Sequence, residues 1–201
     1  MTHPDPMQGA RRALVWVVAL NLGYGLIEGT VGLMIGSVSL IVDSVDFFED
    51  SFVNLLILLG LGWSMAARAR LGGMVAFFLA IPAAAALWMV WSKIQSPVPP
   101  AADGLTLTAL GALAINFAAA LIIARWRNAG GALMRAAFLS ARNDMIGNAA
   151  MIGAGLLTAA TASIWPDIIV GLGLAMLHGD AAREVWRTAR DERLAQRAPH
   201  P

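Results

Sequence analysis

Apolar residues fall into six long blocks along this chain, and the polar residues that interrupt them are few and grouped. A bilayer's hydrocarbon core takes roughly 20 apolar residues in a helix. The blocks therefore predict spans over about Leu14 to Gly36, Leu40 to Met65, Met74 to Trp91, Leu105 to Ala124, Leu133 to Ala162 and Ile168 to Val185. The breaks between them are short: a tight turn at Gly36-Ser37, a proline-rich loop at Pro97, Pro99 and Pro100 closed by Asp103, a Gly130-Gly131 break, and a turn at Trp165-Pro166-Asp167. Pro82 interrupts the third block, which membrane helices tolerate where neighbours satisfy the freed carbonyl. The first block is rich in glycine (Gly23, Gly25, Gly29, Gly32 and Gly36), and small residues at four-residue spacing let membrane helices approach closely. That block is too long for a signal-peptide core and reads as a retained span.

The expected architecture is an all-α membrane protein with six transmembrane helices. It divides into an N-terminal segment at 1–12, a six-helix domain at 13–186 and a short polar tail at 187–201. Composition agrees: 58% of the 201 residues are hydrophobic and 13% charged, with mean hydropathy +0.68, which excludes a soluble globule. With no cysteine, disulfides and thiolate metal sites are excluded. A net charge of +1 gives no reason to expect a nucleic-acid partner. With six spans, Arg11, Arg12, Arg68, Arg70, Arg125, Arg127, Arg135 and the arginines from Arg183 onward flank one side, against Lys93 on the other. The positive-inside rule then makes both termini cytoplasmic, in a multi-pass protein of the inner (plasma) membrane. Most tryptophans, such as Trp16, Trp88, Trp91 and Trp165, stand near span ends, where an interfacial belt would put them. That placement argues against an aromatic-lined pocket for an organic cation.

The second block breaks the apolar rule. Its first half carries Asp43, Asp46, Glu49 and Asp50. A charged residue at bilayer depth costs on the order of 2.5–3.5 kcal/mol even on the most lenient scale, and such residues mark ion or proton paths. Asp43, Asp46 and Asp50 fall on one helical stripe, and Asp46 and Asp50 are one turn apart. The fifth block repeats the device with Ser140 and Asp144, also one turn apart, followed by Asn148. Together the two helices offer three carboxylates and a hydroxyl around a common point. Oxygen ligands suit a divalent cation, although carboxylates also serve as proton relays. Glu28, seven residues after Asn21 and on the same face of the first span, reads either as a structural acid or as part of the ion path. Arg142 and Glu49 are a further pair of charges, which either meet beside the site or leave Arg142 to reach the cytoplasmic interface. His3, His178 and His200 lie near or beyond span ends and are not expected to be ligands.

These residues resemble the cation diffusion facilitators, proton-coupled exporters of divalent transition metals. Asn21, Glu28, Gly32, Ser37, Ser39 and Leu40 look like that family's run into its second helix, and Val42-Asp43-Ser44 resembles the acid before its site. Asp46 and Asp50 fall where the family has His or Asp followed four residues later by Asp. Gly131-Ala-Leu-Met-Arg-Ala-Ala137 resembles the lead-in to its fifth helix, and Asp144 with Asn148 its second site motif. The resemblance implies metal ligation by Asp46, Asp50, Asp144 and Ser140, with Asp43, Asn143, Asn148 and Glu49 around them. It implies a transported Zn, Mn, Fe, Co or Cd ion, no prosthetic group, no enzymatic activity and a homodimer. Three departures stand out. Ser140 occupies a position where the family has His or Asp, so Asn143 or a water would have to supply that ligand. Ala69-Arg-Leu-Gly-Gly73 replaces a Gly-His-Gly loop, and no soluble domain follows the sixth span. The alternative expectation is a partner or sensor protein with this fold that does not transport.

Overall fold

The computed structural model describes residues 6–59, 84–125 and 131–177, and the statements below concern those residues. They form six helices and no strand: α1 (Pro6–Ile35), α2 (Val38–Leu59), α3 (84–95), α4 (Ala102–Ala124), α5 (Gly131–Thr161) and α6 (Trp165–Leu177). The far ends of the expected second, third and sixth spans, the Arg68–Gly73 loop, the polar tail and the three histidines lie outside the described residues.

Local chemistry places most of the boundaries. Gly36 adopts φ 68°, and the Ser37 N–H donates to the Gly32 carbonyl at 2.8 Å. This left-handed closure ends α1. Ser37 at once becomes the N-cap of α2, its Oγ accepting the Leu40 N–H at 3.3 Å. Helix α4 starts three residues before the expected span, which puts Asp103 in its first turn, where the helix dipole favours an acid. The sequence reading of Trp165-Pro166-Asp167 as a turn is corrected. These three residues are the first turn of α6. Proline lacks only an N–H that a first turn leaves unpaired, so it starts a helix without loss.

Antiparallel packing follows from the short connections. Helices α1 and α2 lie side by side, as do α4 and α5; α1 leans on α4, and α2 meets α5 along a shorter stretch. A Cβ added at Gly25, Gly29 or Gly32 would stand 3.0 Å from Phe47 Cβ, 3.1 Å from Ser44 Oγ or 3.0 Å from Ile41 Cγ1. The missing side chains are therefore what lets α1 sit against the acid-bearing helix.

The interior has three layers along the helix axes. At the end that holds the α1–α2 turn, Leu40, Leu105, Met151 and Ile168 form a buried apolar cluster. At the opposite end Leu14, Val17, Ala119, Ile123 and Ala141 form a second. Between them lie polar groups, with Asn21, Glu28, Asp43, Asn116 and Asn148 all buried. The outer surface is apolar instead, with Met34 80% and Ile146 71% exposed. Polar groups inside and large apolar side chains outside suit a lipid solvent. Helices α1 and α4 are long and apolar enough to cross a membrane by that criterion alone.

Candidate functional site

Because α2 and α5 run antiparallel, a rising residue number on one meets a falling number on the other. Their polar stripes consequently face each other as a ladder of three rungs. In the first, the Ser140 hydroxyl donates to Asp50 Oδ1 at 3.1 Å. In the second, the Asp46 and Asp144 carboxyls are hydrogen-bonded to each other. In the third, Asn148 Nδ2 donates to Asp43 Oδ2 at 2.8 Å. Each rung is about one helical turn from the next, roughly 5–6 Å.

The four expected ligands are thus brought to one interface. Asp46, Asp50, Ser140 and Asp144 are half-buried, whereas Asp43 and Asn148 are fully enclosed. Among the described residues no three acids or histidines stand close enough together to hold a metal ion as they are. The rung spacing accounts for this, because Asp46 faces Asp144 while Asp50 is engaged one turn away by Ser140. Asp144 Oδ2 is buried and accepts no hydrogen bond, which leaves one oxygen of the site uncommitted.

Of the surrounding residues, Asn143 lies off the ladder. It is exposed, and its Oδ1 accepts from the exposed Arg142 guanidinium at 3.3 Å. Glu49 is half-buried, about 100° round α2 from Asp50.

The polar layer continues beyond the third rung. Asn116 of α4 donates its Nδ2 to Asn148 Oδ1 at 3.0 Å. This relay was not anticipated, although a single Asn in a helix as apolar as α4 needs a partner in a membrane and could have signalled it. Glu28 of α1 is wholly buried, and its carboxyl faces that of Asp43. Tyr24, one turn before it, closes the α1–α4 seam by donating its hydroxyl to the Thr108 carbonyl at 2.6 Å.

A second missed residue is Asp167, fully buried at the start of α6 and paired with Lys93 at 3.3 Å. Its signal in the sequence was an acid directly ahead of an apolar run.

No curated protein matches the chain. The family model for the cation efflux transmembrane domain does, over residues 14–192. That match takes in α2, α5 and every rung of the ladder, and the chain belongs to the cation efflux family of membrane transporters.

Proposed function

We propose that this chain exports divalent transition-metal cations in exchange for protons, holding the cation on Asp46, Asp50 and Asp144 with the Ser140 hydroxyl beside them. The observation that carries this reading is the ladder between α2 and α5, above all the direct contact of the Asp46 and Asp144 carboxyls. Two carboxyls in such contact need a positive charge between them, either a proton or a metal cation. Metal ligands must be deprotonated, so metal binding and proton release are linked with no further device. A cation entering at Asp46 and Asp144 would draw Asp50 from Ser140 across one turn, completing an oxygen set.

The half-buried rungs lie towards the end where the arginines cluster, the side of cation entry in this reading. Protons from the other side reach the site through the enclosed polar groups, Glu28, Asp43, Asn148 and Asn116. Alternating access comes from rocking of helix groups about a mid-membrane site. The protein sits in the inner membrane with both termini cytoplasmic and works as a homodimer. An oxygen-only ligand set tilts the cargo towards manganese or ferrous iron, while the general affinity order favours zinc wherever geometry allows. Cobalt and cadmium belong to the same class of cargo.

Ser140 favours a second reading, a partner or sensor protein that binds metal without moving it. Purified protein in liposomes separates the two. Under an imposed pH gradient, wild-type protein is expected to move at least one of Zn, Mn, Fe, Co or Cd. Asp46→Ala and Asp50→Ala are expected to abolish that flux while remaining monodisperse. Wild-type flux from both variants would place the site elsewhere, and metal binding without flux in the wild type would favour the second reading.

A further inference from the structure

Helix α2 has its own N-cap, because Ser37 Oγ accepts the Leu40 N–H and the Ser37 carbonyl accepts the Ile41 N–H at 3.4 Å. The two donors left over, the first N–H groups of the helix, do not go to water. Val38 N–H donates to Asp167 Oδ2 at 2.8 Å and Ser39 N–H to Asp167 Oδ1 at 3.1 Å. The hydroxyls of Ser37 and Ser39 add bonds to Oδ1, each at 2.7 Å. Lys93 Nζ donates to Oδ2 at 3.3 Å from the end of α3. One fully buried carboxylate thus takes five donors from two other helices. Its negative charge stands at the positive end of the α2 dipole and is balanced by one ammonium.

Asp167 is not needed to start α2, since the local cap already does that. What it adds is the place where α2 starts relative to α6. Helix α6 follows α5 after a break of only 162–164, so the carboxylate is tied to the end of α5 as well. The ladder depends on this height. A slip of α2 by one residue would move it about 1.5 Å along the axis and about 100° around it. That would turn Asp46 and Asp50 away from Asp144 and Ser140.

We infer that Asp167 is a positioning residue for the ion site: with Lys93 as its counter-charge, it fixes the register of α2 against α5 from about 12 Å away along the helix. The inference rests on the reading that Asp46, Asp50 and Asp144 bind the cation.

Zinc affinity of purified, monodisperse protein in detergent tests it, with thermal stability measured on the same samples with and without zinc. Asp167→Asn keeps the size and one acceptor oxygen but loses the charge and part of the cap. It is expected to bind zinc about tenfold more weakly or worse, the scale seen when groups that orient metal ligands are lost. The stabilisation conferred by zinc should shrink with the affinity. A purely structural role would lower stability and leave the affinity of folded molecules unchanged, and that result would overturn the inference. If Asp167→Asn does not fold, Ser39→Ala keeps both backbone bonds and the Ser37 cap and loses one hydroxyl bond to Oδ1. It is expected to weaken zinc in the same direction, and wild-type affinity there would overturn the inference equally. Asp46→Ala is the control for the underlying reading. Should it bind zinc as the wild type does, the site reading fails and this inference falls with it. Loss of binding in Asp46→Ala with undiminished affinity in Asp167→Asn sinks the positioning role alone.

Discussion

Ser140 is the one expected ligand of the four that is not a carboxylate, and its hydroxyl is spent on Asp50 Oδ1 at 3.1 Å. Imidazole suits zinc better than a hydroxyl does. Ser140→His is therefore expected to raise the zinc-to-manganese affinity ratio of the purified protein by about tenfold, the lower end of what changes around metal ligands produce. An unchanged ratio in competition binding would show that position 140 does not reach the cation. Asp46, Asp50, Ser140 and Asp144 were readable as two one-turn pairs, because spacing alone puts such pairs on one helix face. Which member faces which was not readable. Spacing within each helix says nothing of the height at which two helices meet, and the observed pairing takes Asp50 to Ser140 and Asp46 to Asp144.

Between elements, α1 packs closely on α2 through its glycines. Gly32 is the tightest point of that seam, since an added Cβ would meet Ile41 Cγ1 at 3.0 Å, Leu40 Cβ at 3.1 Å and the Ile41 backbone nitrogen at 3.2 Å. The last of these is backbone and cannot rotate aside. Gly32→Leu should force α1 away from α2 and destabilise the protein by about 1–3 kcal/mol, the usual range for overpacking. Thermal unfolding in detergent measures this, and wild-type stability would mean that the seam is looser than the distances imply. Gly23, by contrast, has open space around its missing Cβ and makes a control on the same helix. Element boundaries were readable where the chain carries a stop signal, as at Gly36-Ser37. They were misread at Trp165-Pro166-Asp167, because proline and an acid serve a turn and a helix start equally well.

At the scale of the whole molecule, the two ends carry opposite chemistry. Lys93, the proline loop and Trp88, Trp91 and Trp165 mark one end; Arg11, Arg12 and Trp16 mark the other. Our proposed orientation, with the arginine end in the cytoplasm, rests on the positive-inside rule. A chain without cysteine allows this to be checked one site at a time. Ser96→Cys, in an exposed position next to the proline loop, should react with a membrane-impermeant thiol reagent on intact cells. Gln8→Cys, exposed near the start of α1, should react only after permeabilisation. The reverse labelling would invert the orientation and with it the side from which the cation enters.

By itself the sequence determined the class of the molecule: six apolar blocks of membrane length, one-turn polar pairs in the second and fifth of them, and arginines gathered towards one side. These are properties of composition and local spacing, which survive any choice of packing because the bilayer imposes the same demand on every span. Only the tertiary structure decided how the polar groups are matched. Asn116 joins Asn148, Glu28 comes to rest beside Asp43, and Asp167 reaches across 128 residues to hold Ser39. Such contacts depend on the relative height and rotation of helices. In lipid those are set by small-residue packing and a few buried hydrogen bonds rather than by the hydrophobic effect. The apolar pattern carries no record of them.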